Sequence, residues 1–290
     1  MMNKLTFSFF RFLSLIYFIL CFKSIACPDY KIISATAKSF LEKKPGPGYP
    51  EITTLEDSYC AQKKYLSLLE QNLGIRVGYK AGLTNKPLQE RFGAIEPVGG
   101  VLYKSMLLAS GTTIRTDSGV RMVYEADLIV TVTDEKINDA KTKEEVIKYL
   151  GEIIPFIELL DILVAKEEPL NLATIIGYNV VSRYGVVGKG IPVENTSDFI
   201  NSLENIESIT LDNEGNEIQR AYGTDIMGHP LNVVLWLVKH VNKQGNRLKP
   251  GDILSLGAMG TFRPFEPGKT ITVKYNGLST GNSEAIVSFE

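Results

Sequence analysis

Histidine is scarce in this chain: among 290 residues there are two. A histidine-based metal or catalytic centre is therefore not expected, and no cysteine–histidine spacing suggests zinc. An excess of charge of either sign is also missing. Lysine and arginine number 31 against 33 acidic residues, a net charge of −2. Nothing in that balance calls for nucleic acid or an anionic membrane surface as partner. Long hydrophobic runs are absent too. The apolar run Phe12 to Phe22 covers 11 residues, whereas a helix needs about 20 to cross a bilayer. There is no internal repeat and no low-complexity tract. The length suits one large domain, or a domain with a small appendage.

The short apolar run has another use. Lys4 and Arg11 precede it, and Ser24-Ile25-Ala26 follows with small residues where a signal peptidase reads. Residues 1–26 are thus read as a cleaved export signal, with an uncleaved N-terminal anchor as the alternative. The expected location is periplasmic or secreted, with no membrane contact beyond the export signal. Cys27 would begin the mature chain, and Ser24-Ile25-Ala26-Cys27 also approaches a lipoprotein signal. Cys21 would leave with the signal, so Cys27 and Cys60 remain. In an oxidising compartment they could pair; equally, Cys60 could be a buried free thiol.

What the chain does have is carboxylate set into apolar surroundings. Arg121 to Val130 reads as a strand, and side chains two apart on a strand share a face. Glu125 and Asp127 therefore point the same way. A second apolar run, Ile153 to Asp161, carries Glu158, 33 positions after Glu125. If these three converge, they make an all-oxygen site for a hard cation. The alternative is a solvated strand face with Glu158 in an unrelated ion pair. Lys80 sits on another strand-like stretch between Gly78 and Gly82, where bulky neighbours cannot crowd it.

The remaining pattern fills in the fold. Helices are expected at Asp29 to Glu42 and Thr54 to Asn72, joined by a proline- and glycine-rich loop. They would form an N-terminal helical cap over residues 27–74. Residues 75–290 read mainly as strands. A helix is expected at Lys141 to Ile153, and Ile175 to Val187 reads as β. Asp212-Asn213-Glu214-Gly215 reads as a hairpin turn. Pro230 opens a helix that is apolar nearly all round and so buried. His229 reads as the structural start of that helix. Many strands with few, non-alternating helices argue an α+β fold with a curled mixed sheet.

Five stretches then occur in a telling order: Gly78-Tyr79-Lys80-Ala81-Gly82-Leu83-Thr84, Tyr124-Glu125-Ala126-Asp127, Ile157-Glu158-Leu159-Leu160-Asp161, Gly228-His229-Pro230-Leu231-Asn232 with Trp236-Leu237, and Leu248-Lys249-Pro250-Gly251-Asp252-Ile253. Together they resemble the 2-keto-4-pentenoate hydratase and 4-oxalocrotonate decarboxylase group of the fumarylacetoacetate hydrolase superfamily. The resemblance implies a mixed β-roll, a divalent metal (Mg²⁺ or Mn²⁺) and a homo-oligomer. It implies metal ligands at Glu125, Asp127 and Glu158, with Asp127 in place of a glutamate. It implies an active-site lysine at Lys80, and Asn179 matches the asparagine of the group's Ala-Asp-Asn segment. The chain also departs from the group. Val98 follows Pro97 where hydratases carry aspartate, and Asp161-Ile162-Leu163 replaces Asp-Ser-Arg.

The chemistry that follows is that of a small 2-oxo acid chelated to a metal and converted through its enolate. Lys80, and with it Arg183, would compensate the charge of the bound anion. Lys80 is the candidate for proton transfer. Hydratase-like lyase chemistry is the expectation. Decarboxylation, acylpyruvate hydrolysis and tautomerisation are its alternatives, as is an exported non-catalytic binding protein on the same fold.

Overall fold

The computed structural model describes residues 27–290; the expected export signal lies outside them. The chain begins with two helices, Tyr30–Glu42 and Leu55–Leu73. Asp29 caps the first by accepting from the Lys31 N–H, and Thr54 caps the second by accepting from that of Asp57. Such caps satisfy N–H groups that have no partner within the helix. Gly74 ends the second helix at φ +76°, where other residues are strained. The sulfur atoms of Cys27 and Cys60 are bonded, tying the start of the described chain to the second helix. With its sulfur so bonded, Cys27 carries no free thiol.

The helical pair has an apolar cluster of its own. Ile33, Phe40, Tyr65 and Leu69 meet Tyr103, Leu163 and Tyr178 from the rest of the chain. The loop between the helices is pinned as well. The Tyr49 N–H donates to Thr174, and its ring stacks on Tyr178 at 5.6 Å.

Two sheets form the body, making an α+β fold with a mixed β-roll. The larger runs, strand by neighbouring strand, through Val98–Tyr103, Arg76–Gly82, Ile253–Ser255, Met122–Val132, Leu150–Asp161, Ser182–Val187 and Leu107–Ala109. The pairs of Arg76–Gly82 with Ile253–Ser255 and of Leu107–Ala109 with Ser182–Val187 are parallel; the rest of that path is antiparallel. The smaller sheet has five strands, centred on the hairpin of Thr270–Leu278 and Gly281–Phe289. The helix Pro230–Lys243 packs into the largest core cluster with both sheets. Its Leu231, Val233, Val234 and Leu237 are fully buried, as the all-round apolar pattern requires. His229 starts it: Nδ1 accepts from the Leu231 N–H, and the other ring nitrogen bonds the Ile200 carbonyl.

Two expectations about elements are corrected. The helix expected at Lys141 to Ile153 is short, Lys143–Val146, and the chain is already a strand from Leu150. Residues Ile175 to Val187 are not all strand. Asn171 caps a helix, Leu172–Gly177, through the Thr174 N–H, and strand resumes at Ser182. The β-branched residues that suggest a strand here are buried instead on a short helix and the turn after it.

Candidate active site

The site is built where three strands of the larger sheet bring charge indoors. Met122–Val132 and Leu150–Asp161 run antiparallel, and their register sets Glu125 directly across from Glu158. On the other side, Ile253–Ser255 joins Met122–Val132 to Arg76–Gly82 and places Ser255 beside Lys80. Lys80 and Glu158 are each 1% exposed. The lysine ammonium pairs with Glu158 Oε1 and donates to the Val180 carbonyl at 3.2 Å. Room for its stem comes from Gly100 on the neighbouring strand, where a β-carbon would lie 2.9 Å from Lys80 Cγ. Gly78 and Gly82 make room for Ile253 and Val180 instead.

The local electrostatics are unbalanced. Burial pushes the Glu125 carboxyl well above its usual range, and the facing Glu158 pushes the same way. Burial also lifts Asp127 to about 7, again with Glu158 adding to the rise. Three carboxyl groups thus share one neighbouring ammonium. Glu158 Oε1 also has no partner of good hydrogen-bond geometry. Buried oxygen donors with unneutralised charge suit a hard divalent cation, and Glu125 and Glu158 fit that role.

Asp127 has hydrogen-bond partners within the protein. Its Oδ2 accepts from Ser255 Oγ at 2.6 Å, and its Oδ1 accepts from the Gly257 N–H at 2.9 Å and from that of Leu128. A side chain one methylene shorter than glutamate is captured by these near donors. Its carboxylate is fully buried and, like that of Glu158, does not line the cavity that Lys80 and Glu125 reach. Among the described residues, no group of three or more Asp, Glu, His or Cys is arranged as a metal cluster.

Lys80 and Glu125 border a cavity of about 140 Å³. Its walls are apolar, with Val123, Leu160, Ile175, Val180 and Val181 among them, and Arg91, Phe92 and Phe262 also line it. Two residues expected to bind substrate are absent from that lining. Arg183 is buried against the helical pair: it bonds Asp161 Oδ2 at 3.3 Å and the Phe40 carbonyl, with its guanidinium over the Phe40 ring. Asn179 clamps Val101, donating to its carbonyl and accepting from its N–H, both at 2.8 Å. Both side chains are engaged in these contacts. Arg91, an exposed residue on the short helix Lys86–Phe92, is the arginine that does line the cavity. No spacing in the sequence singles it out.

The turn after Asn179 was also missed. Asn179, Val180 and Val181 lie in succession at φ +56°, +55° and +50°. Left-handed backbone costs a β-branched residue roughly 1–2 kcal/mol. The turn directs the Val180 carbonyl to Lys80 and both valines to the cavity.

No family model matches the chain. A 2-keto-4-pentenoate hydratase of Paraburkholderia xenovorans is 24% identical over 240 residues, covering 81% of this chain and 85% of its own. A 4-oxalocrotonate decarboxylase of Pseudomonas putida is 24% identical over 233 residues, covering 80% and 85%. The chain is thus similar to 2-keto-4-pentenoate hydratases and to a 4-oxalocrotonate decarboxylase. The fold agrees. The solved 4-oxalocrotonate decarboxylase from Pseudomonas putida G7, complexed with magnesium and adipate, superposes with a TM-score of 0.78 at 19% identity, over 90% of this chain and 97% of that one. These hydratase and decarboxylase relatives are enzymes, which supports the enzyme expectation over a non-catalytic binding protein.

Proposed function

We propose that this chain is a divalent-metal-dependent lyase that acts on a small 2-oxo acid through its enolate, in a hydratase-like reaction. One observation carries the reading: Glu125 opposes Glu158 beside the buried ammonium of Lys80, and Lys80 and Glu125 border an apolar cavity. Glu125 and Glu158 would hold Mg²⁺ or Mn²⁺. Asp127 adds negative potential from behind, held by Ser255 and Gly257. When bound, such a cation acts as a Lewis acid on the carboxylate and keto oxygens of a 2-oxo acid.

The chain's own residues supply the rest. Lys80 Nζ holds the proton that moves to and from the substrate carbon beside the carbonyl. Glu158 and the Val180 carbonyl fix that nitrogen in place. The strained turn supplies the carbonyl, and the Asn179 clamp on Val101 anchors the turn. Apolar walls keep bulk water from the reacting carbons and strengthen the charge interactions inside.

The reading is tested by following the ultraviolet absorbance of 2-hydroxypenta-2,4-dienoate with Mg²⁺ or Mn²⁺. Metal-dependent loss of absorbance is expected. No loss, with oxaloacetate and acylpyruvates also untouched, overturns the enzyme reading.

Export is part of the proposal. The Cys27–Cys60 bond supports it, because disulfides persist in oxidising compartments. Mass spectrometry of the native protein should find a mature N-terminus at Cys27; a chain beginning at Met1 overturns the cleaved signal.

A further inference from the structure

The cavity's chemistry is lopsided in a way that bears on the substrate. Of the residues lining it, Lys80, Glu125 and Arg91 carry charge. Lys80 is deeply buried, whereas Arg91 is exposed. Between them the walls are hydrocarbon: Ile175 is 4% exposed, Val180 3%, Val123 and Leu160 8% each. Behind this wall lies a further apolar cluster, in which Val98 packs with Ile175, Ile176 and Val180. Val98 thus adds hydrocarbon behind the wall formed by Ile175 and Val180.

A polar or charged substituent carried into these walls would lose its water and find few partners. Burying an unpaired carboxylate in that way is strongly unfavourable. A hydrocarbon tail would instead gain from each methylene it buries. Resting on the 2-oxo acid reading of this site, the geometry points to a monocarboxylic 2-oxo acid with an extended hydrocarbon tail as the ligand. The carboxylate and keto oxygens lie at the Lys80–Glu125 end. The tail runs along Val180, Val181 and Ile175 towards Phe92 and Phe262. Arg91 is left to solvent rather than to a second carboxylate.

Binding separates this inference from the reading beneath it. Calorimetry of the full chain with Mg²⁺ would compare pyruvate, 2-oxohexanoate, 2-oxooctanoate and 2-oxoadipate. Affinity should rise about fourfold per added methylene from pyruvate to 2-oxooctanoate. 2-Oxoadipate should bind more weakly than 2-oxohexanoate. Phe92→Ala should weaken 2-oxooctanoate by several-fold more than pyruvate, and Arg91→Ala should leave the order of the acids unchanged. Pyruvate binding as tightly as 2-oxooctanoate overturns the inference and leaves the site reading standing. So does a preference for 2-oxoadipate that Arg91→Ala abolishes, since that would make the mouth a carboxylate receptor. Equal losses for both acids in Phe92→Ala also count against it. No binding of pyruvate or of any longer acid overturns the site reading and the inference with it.

Discussion

Lys80 and a metal ion would compete for the same carboxylate, and that competition can be measured. Glu158 is paired with Lys80 inside the protein, while Glu125 stands opposite with its carboxyl pushed towards the neutral form. Removing the ammonium leaves Glu158 buried without its counter-charge, which costs roughly 3–5 kcal/mol. A bound cation would recover much of that. Lys80→Met should therefore lose turnover yet bind Mg²⁺ at least as tightly as wild type, and Mg²⁺ should raise its Tm more. Glu125→Ala and Glu158→Ala should each abolish Mg²⁺ binding by calorimetry. Wild-type affinity in either would remove it from the ligand set. Lys80, Glu125 and Glu158, singled out in the sequence by their strand settings together with the family resemblance, are brought together by the structure. Asp127 shares that periodicity but is captured by Ser255 and Gly257, which lie about 130 positions away and carry no local signal. Arg183 and Asn179 sit in the expected part of the chain. Their partners, Asp161 with Phe40 and Val101, come from other elements, and those partners decide what each side chain can reach.

Two elements flank the lysine strand and hold it in shape. On one side is the left-handed turn of Asn179, Val180 and Val181. Its strain is offset by the two hydrogen bonds from the Asn179 side chain to Val101. Asn179→Ala should cost about 2 kcal/mol in urea unfolding, from two lost bonds at roughly 1 kcal/mol each. It should also lower kcat more than it raises KM, because the Val180 carbonyl then no longer fixes Lys80. On the other side, the helix Pro230–Lys243 lays His240 over Gly99, where a β-carbon would lie 2.2 Å from the ring. Trp236 stacks on the same imidazole and Tyr59 tilts against it. Burial lowers the His240 pKa to about 4, with Glu96 opposing and Lys243 assisting. The unfolded chain binds this proton near pH 6.5 and the folded chain resists it until about 4. Stability from this group is therefore complete above pH 6.5 and lost as pH falls towards 4. A ring that is only partly buried makes the loss about 2 kcal/mol. His240→Gln should be less sensitive than wild type over that window in urea titrations. The buried helix itself was legible from a pattern apolar nearly all round. The turn was not: Asn179 suits the left-handed region, but the two valines that follow it there oppose their local preference, and contacts from other elements hold them.

At the scale of the whole molecule, the fold class could be read from the many strands and the few, non-alternating helices. What composition leaves open is how the helical pair is held to the sheets. Part of the answer is the shared apolar cluster of Phe40, Tyr65 and Leu69 with Tyr103, Leu163 and Tyr178. Gln62 adds two more links across the boundary, donating to the carbonyls of Gly99 and Ile176 at 2.9 Å each. The disulfide acts on a different quantity. Cys27 and Cys60 lie 33 residues apart, and closing such a loop in the unfolded chain removes entropy corresponding to about 3–4 kcal/mol. That constraint disappears on reduction, while the apolar contacts remain. If the helical pair unfolds together with the sheets, the Cys27→Ser, Cys60→Ser double variant should show one calorimetric transition, lower in Tm by about 6–12 °C. If instead the pair can leave first, the variant should show a separate early transition that removes helical circular dichroism and leaves the sheet signal. In that case turnover should fall with the early transition, because Gln62 bonds the Gly99 carbonyl beside Gly100, and Gly100 is what gives the Lys80 side chain its room. An unchanged Tm in the double variant would mean that this bond constrains little that the apolar contacts do not already hold.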